Sequence, residues 1–313
     1  MTHIALPDTV RIMDVGPRDG LQNEPKMLPT AQKIQLVQAL CAAGVHEIEV
    51  TSFTHPRWIP NLADAEDVVR ATRDMGFTSF ALVPNRRGLD RALAAGVDGV
   101  TLVMSVTDGH NQANLNRSAA DSLEELLTLH ALAAQAGLKV RVSLSVVFGC
   151  PFAGAVSPDA VVQVIDRFVA AGARRIGLCD TIGVALPHQV HALSAQLMAR
   201  HRDVEFELHL HDTRGMALAN AFAGLLAGIK SFDAAIGGLG GCPYAPGATG
   251  NSASEDLNAM LTGMGIATGI NQENLLQGAA LLADWRGRPL ESAAWRLATA
   301  HKTLCPKPKG NPA

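Results

Sequence analysis

The chain is poor in the features that mark most specialised protein classes. No CxxC pair occurs, and the five cysteines, Cys41, Cys150, Cys179, Cys242 and Cys305, are odd in number and scattered. That pattern offers neither a zinc knuckle nor a disulfide framework. Aromatic residues make up 4% of the chain, they are not interleaved with lysines, and the formal charge is −3. A nucleic-acid surface needs a basic field and stacking rings, so none is expected. No apolar run approaches the ~18 residues that a membrane span requires. The opening MTHIALPDTV has no basic segment leading into a long apolar stretch. Neither membrane association nor a secretory leader is expected, and a cytoplasmic chain with reduced thiols is the simplest reading. Linkers, low-complexity tracts and charge blocks are missing too, so residues 1–313 read as one domain.

What the chain does have is a large apolar share, 48% of its residues and rich in alanine, enough to bury a sizeable core. A weak repeat organises it. Ala43-Gly44-Val45, Ala95-Gly96-Val97, Ala136-Gly137-Leu138, Ala171-Gly172-Ala173 and Ala227-Gly228-Ile229 each close an alanine-rich amphipathic stretch, and Met75-Gly76-Phe77 is a variant. Glycine in that place reads as the left-handed residue that ends a helix before the next strand. The strand candidates are Val10–Asp14, Glu47–Thr51, Ser79–Val83, Gly99–Met104, Lys139–Val147, Arg175–Cys179, Glu205–His211 and Ser231–Ala235. Eight strands alternating with helices imply a parallel sheet, and no glycine fingerprint of a doubly wound nucleotide fold follows the first. An α/β chain folded as a (β/α)8 TIM barrel is expected, with additional C-terminal helices from about Asn258. The proline- and lysine-rich tail Lys307–Ala313 is expected to be disordered.

Chemistry in such a barrel belongs at the C-terminal ends of the strands, and polar residues gather there. Strand seven reads Glu207-Leu208-His209-Leu210-His211-Asp212. Its period of two sends both imidazoles to one face and both leucines to the other. His209 and His211, with Asp19 across the barrel mouth, make three candidate ligands for a divalent cation. Carboxylate and amide oxygens beside neutral imidazole favour hard ions, Mg2+ or Mn2+. Asp212 falls on the opposite face, where it either joins the site or caps a helix. Arg18 stands among glycines and a proline, a loop that admits a close ligand, and guanidinium suits an enolate or carboxylate; a structural pair with Asp19 is the alternative. Glu49 and Glu47 point the same way along strand two, and a buried glutamate needs a partner such as Arg18. Gln22, Asp180 and Thr181, at other strand ends, together with Ser143, are candidate substrate contacts, and a loop after strand four holds His110 and Asn111. Cys242 lies in a glycine-rich stretch, Gly237–Gly250, read as a flap whose thiol is either an acid/base or passive. Cys41, Cys179 and Cys305 are assigned to packing, and Cys150 to neither role.

Val15–Pro25 (VGPRDGLQNEP), Ile48–Phe53 (IEVTSF), Gly149–Gly154 (GCPFAG), Asp180–Gly183 (DTIG), Leu208–Asn220 (LHLHDTRGMALAN) and Gly237–Asn251 (GGLGGCPYAPGATGN) together resemble 3-hydroxy-3-methylglutaryl-CoA lyase. The likeness runs from about Val10 to Thr268. The RDGxQ and HxH elements are shared with a wider superfamily of metal-dependent barrel lyases and synthases, whereas the cysteine-bearing glycine loop is specific to the lyases. The resemblance implies a divalent ion on Asp19, His209, His211 and Asn251, and catalysis by Arg18, Glu49, His209 and Cys242. It implies an acyl-CoA substrate cleaved to acetyl-CoA and acetoacetate, and a homodimer. The chain departs from the family's pattern at Ser143, where RGY would place tyrosine, and at Phe152 and Ala153, where CPYEG would place tyrosine and glutamate. Those departures bear on the acyl group, so a lyase of the same mechanism for a different 3-hydroxy-3-substituted acyl-CoA is the alternative. A Claisen-type synthase, an aldolase acting on a free 2-oxo acid, or a metal-binding barrel without turnover ranks below it.

Overall fold

A computed structural model describes residues 6–241 and 250–304. Cys242, Cys305 and the tail Lys307–Ala313, all named above, lie outside the described residues. Eight parallel strands close into a barrel in sequence order: β1 (Arg11–Asp14), β2 (Glu47–Ser52), β3 (Thr78–Val83), β4 (Gly99–Ser105), β5 (Lys139–Ser145), β6 (Arg175–Asp180), β7 (Glu205–Leu210) and β8 (Ser231–Ala234). The helices are α1 (Thr30–Ala42), α2 (Ala65–Thr72), α3 (Arg86–Ala95), α4 (Asp108–Leu115), α5 (Ala119–Gln135), α6 (Pro158–Ala170), α7 (Pro187–Arg200), α8 (Ala217–Leu226), α9 (Ser254–Gly263), α10 (Gln272–Arg286) and α11 (Ala293–Leu304). The (β/α)8 expectation and the extra C-terminal helices are both met. No helix among the described residues is long and apolar enough to cross a membrane.

Each expected strand is present with its ends moved by one or two residues. The helix-ending glycines take positive φ as expected, Gly96 at 85° for example, which lets the chain reverse without a Cβ clash. β5 stops two residues early because Val146 adopts φ 57°, a left-handed conformation that strains a β-branched side chain. One expectation is corrected: His110 and Asn111 sit on α4, not in a loop. The sequence Asp108–Leu115 has no clear apolar period, and Asn111 supplies the order instead. Its side-chain oxygen accepts from the Ser105 N–H, and its amide donates to the Arg117 and Ser118 carbonyls and to Ser122 Oγ.

Strand faces divide cleanly. Phe206, Leu208 and Leu210 of β7 are buried, alternating with inward polar residues of the same strand. The barrel interior is correspondingly charged. Arg175 meets Glu47 and Glu207 at 2.5 Å, and its guanidinium lies 5.0 Å from the centre of the Phe80 ring. One layer higher, Arg141 is 1% exposed and reaches Asp233 at 2.7 Å and Glu207 at 3.1 Å. A buried ion pair that loses one partner typically destabilises by about 3–5 kcal/mol, because the other charge stays behind.

The C-terminal helices lean on the first crossover: the Asn271 N–H donates to Ala43 and the Asn274 amide to Ala42, the end of α1. Two buried acids tie α9 to β1 and to the turn after β8. Asp14 accepts from Ser254 Oγ at 2.6 Å and from the Gly16 N–H at 2.8 Å, and Glu255 accepts from the Gly237 N–H at 2.9 Å. Burial pushes Asp14 up to about 7 and, with Asp14 itself nearby, Glu255 up to about 8. Both therefore hold protons in the folded state that the unfolded chain releases near pH 4. Their stabilising contribution is complete in acid and is lost as pH rises through about 7 to 8. Thermal melts should accordingly fall between about pH 6 and about pH 9, and Glu255→Gln should flatten that slope; an unchanged slope would show that the Glu255 proton is not bound.

Candidate active site and metal centre

The site is assembled from the ends of β1, β2 and β7. After β1 the chain makes one wide turn, Gly16–Gly20, in which the Asp19 and Gly20 N–H groups both reach the Val15 carbonyl, at 2.7 and 3.2 Å. The turn delivers Arg18 and Asp19 to the inner rim. The period of β7 turns His209 and His211 to the same rim, 7% and 5% exposed. Asn251 joins them through a bridge to His211 and through the Ser252 N–H, which donates to the Leu210 carbonyl at 2.8 Å. Two glycines make that approach possible. A Cβ on Gly240, at φ 95°, would fall 2.6 Å from Asn251 Nδ2, and one on Gly250 would fall 1.9 Å from the Gly240 carbonyl oxygen.

Asp19 Oδ2 lies 4.0 Å from His209 Nε2 and 4.0 Å from His211 Nε2, and the two ring nitrogens are 3.2 Å apart. Two donors at right angles about an ion with ~2.1 Å bonds stand about 3 Å apart, so the spacing suits a shared cation. Asn251 donates from Nδ2 to Asp19 Oδ2 at 2.7 Å and to the Leu239 carbonyl at 2.9 Å. That leaves its Oδ1 buried and without a partner, an acceptor waiting for a donor or a cation. Asp19, His209 and His211 form a cluster able to hold a metal ion, and the residues fit the group that the sequence implied.

Electrostatics agree. Burial works to raise the Asp19 pKa, but Arg18, the two imidazoles and the Asn251 amide outweigh it and hold the carboxyl well below the usual range. Burial, aided by His209, pushes His211 down to about 4, so its imidazole is neutral and a ready ligand at physiological pH. Arg18 bridges Asp19 and Glu49, and Glu49 is fully buried. Those two carboxylates overcome the effect of burial and raise the guanidinium pKa.

The triad opens into a cavity of about 280 Å³. Gln22, Ser143 and Thr181 line it, with Ser145, His110, Leu82 and Val103 around them. Asp180 does not: its carboxylate accepts from the Val184 and Ala185 N–H groups at 2.9 and 3.0 Å and secures its own loop. Asp212 likewise accepts from the Ala217 N–H at the start of α8, the capping alternative. Cys179, assigned to packing, faces the cavity instead, 3.1 Å from Ser143 Oγ, and burial pushes its thiol up to about 12. Cys150 holds the Gly149–Gly154 turn, accepting from the Phe152 and Ala153 N–H groups.

Sequence reasoning missed Asp233, whose Oδ2 lies 3.1 Å from His209 Nδ1, and Arg141 behind it. The parity of β5, which puts Arg141, Ser143 and Ser145 on one face, was the available signal for Arg141.

The sequence model of the HMGL-like family matches residues 9–282. Hydroxymethylglutaryl-CoA lyase YngG of Bacillus subtilis is 45% identical over 287 residues, covering 91% of this chain and 96% of that one. The (R)-citramalyl-CoA lyase of Chloroflexus aurantiacus is also 45% identical, over 294 residues, covering 90% and 93%. Among solved structures, an A. baumannii HMG-CoA lyase in complex with coenzyme A and 3-methylmalate superposes with a TM-score of 0.88 at 36% identity, covering 98% of each chain. With the ligand triad in place and the likeness running through nearly the whole length, the chain belongs to the HMGL-like family.

Proposed function

We propose that the chain is a divalent-metal-dependent carbon–carbon lyase acting on a 3-hydroxy-3-substituted acyl-CoA. 3-Hydroxy-3-methylglutaryl-CoA is the first candidate, cleaved to acetyl-CoA and acetoacetate. One observation carries the reading: Asp19, His209, His211 and the orphaned Asn251 oxygen stand beside the Arg18 guanidinium at one cavity. The thioesters in the names of both 45%-identical relatives support the substrate class.

Asp19, His209, His211 and Asn251 are the residues that would hold Mg2+ or Mn2+, whose Lewis acidity makes the C3 hydroxyl of the substrate easier to deprotonate. The rest falls to the chain itself. As the C2–C3 bond parts, charge grows on the thioester oxygen, and Arg18 faces the cavity to donate to it. Glu49 acts through Arg18 by holding its plane. His209 has Nδ1 against Asp233 and Nε2 turned to His211 and Asp19, so no ring nitrogen remains to carry a substrate proton. The resemblance names Cys242 for the proton transfer, its thiolate taking the hydroxyl proton and returning it to C2. Gln22, Ser143 and Thr181 are the proposed substrate contacts. A citramalyl-type acyl group is the second reading, favoured by the equal identity to the citramalyl-CoA lyase.

Purified protein incubated with Mn2+ and a panel of branched 3-hydroxyacyl-CoA thioesters should release acetyl-CoA from at least one, and chelation should stop it. Silence across the whole panel would reject the lyase reading. Arg18→Gln should lower kcat by about 10²–10³ or more through loss of transition-state charge stabilisation. Adding Glu49→Gln to that variant should cost little further, since Glu49 works through the guanidinium; two fully additive losses would give Glu49 a role of its own. Cys242→Ser should slow turnover while leaving Mn2+ affinity unchanged, and wild-type turnover would move the proton transfer elsewhere.

A further inference from the structure

His209 is buried, and its ring is held at both nitrogens. Nε2 faces His211 Nε2 at 3.2 Å and Asp19 at 4.0 Å, the direction of the proposed cation. Nδ1 lies 3.1 Å from Asp233 Oδ2. That same oxygen accepts from Arg141 Nη2 at 2.7 Å. Arg141 is itself immobilised: Nε reaches Glu207 Oε2 at 3.1 Å and Nη1 reaches Met13 Sδ at 2.7 Å, so β1, β7 and β8 all bear on the guanidinium that β5 carries.

We propose that Asp233 is a positioning residue for the metal centre, holding His209 in the tautomer with its proton on Nδ1 and its lone pair on Nε2. The proposal rests on the metal reading given above. A carboxylate facing a permanently charged guanidinium has no proton to give, so the hydrogen between it and His209 belongs to the imidazole. A neutral imidazole has one ring proton, and placing it on Nδ1 leaves Nε2 bare where a cation needs a lone pair. The arrangement does not depend on a flexible reach. His209 and Asp233 are register partners across the β7–β8 ladder, so the sheet itself sets their spacing. A slip of one residue in either strand would move its side chain to the helix-facing side. Arg141 completes the device by keeping the Asp233 carboxylate in place, one layer below the ligands.

The test uses protein labelled with 15N-histidine, resonances being assigned by loss of the His209 signal in His209→Gln. In the metal-free wild type the ring nitrogen shifts should place the His209 proton on Nδ1. Asp233→Asn, which keeps the shape and removes the charge, should weaken Mn2+ binding by about 10- to 100-fold in an EPR titration, with its circular dichroism spectrum retained. Wild-type protein that binds no Mn2+ overturns the metal reading itself. Wild-type protein that binds Mn2+ while Asp233→Asn binds it as tightly, or a wild-type His209 proton found on Nε2, overturns the role of Asp233 alone. The tautomer measurement does not use Asp233→Asn, so it decides even if that variant fails to fold.

Discussion

Charge inside a closed barrel must be answered within a few ångströms, and that requirement shapes this molecule from floor to mouth. From Glu47 through Arg175, Glu207 and Arg141 to Asp233, carboxylates and cations alternate at hydrogen-bonding distance, and the His209 ring meets the last of them. Transferring any one of these ions out of water without its neighbours costs several kcal/mol, so the members are held together as a set. The ligand triad is the upper end of that set. Two ring nitrogens 3.2 Å apart, beside a carboxyl whose pKa is held well below the usual range, make an electron-rich corner in a low-dielectric cavity. Arg18 answers part of that charge from the side but divides itself between Asp19 and Glu49. What remains is a demand for a doubly positive ion, and the donor set is the structural form of that demand.

The sheet ladder, more than side-chain reach, fixes the geometry. Period two along β7 stacks Glu207, His209 and His211 on one line, and the β7–β8 register sets Asp233 against His209. The β1 turn and the bridge to Asn251 bring the remaining ligands over that line. Sites built on strands are held to finer tolerance than sites on loops, which is what a metal centre requires.

Much of this was legible in the primary structure, and the reasons it was legible are local. Alternation exposed the His209/His211 face, and repeated alanine–glycine punctuation marked the helix ends that count out the barrel. Asp19 and Arg18 announced themselves by position, directly after β1. Asp233 and Arg141 were hidden because each is a single polar residue in a short strand, and their meaning comes from partners 92 residues apart in the chain. Asp180 misled for the opposite reason. It stands at a strand end, where catalytic groups are expected, yet its oxygens serve the Val184 and Ala185 amides. The strained Val146 carries no sequence signature at all; its N–H donates to Thr181 Oγ1 at 2.8 Å, so the strain fixes a cavity-lining hydroxyl.

The two halves of the cavity answer to different constraints. The candidate ligands and Arg18 come from β1, β7 and the Asn251 segment, while Leu82, Val103, Ser143, Ser145 and Cys179 from β3 to β6 shape the space opposite. Leu82, Val103, Ser143 and Ser145 stand on strands that carry none of the candidate ligands, whereas Cys179 is the register partner of His209 across β6 and β7. The floor beneath Ser143 is fixed. Arg141 lies two residues from Ser143 on the same face of β5, locked by Glu207 and Asp233, and a Cβ at Gly177 would already stand 3.4 Å from its Nη2. Cys179 closes the neighbouring position at 3.1 Å. A larger side chain at position 143 would extend upward, into the cavity. The serine there is thus the point at which the rigid ion network below meets the open space above.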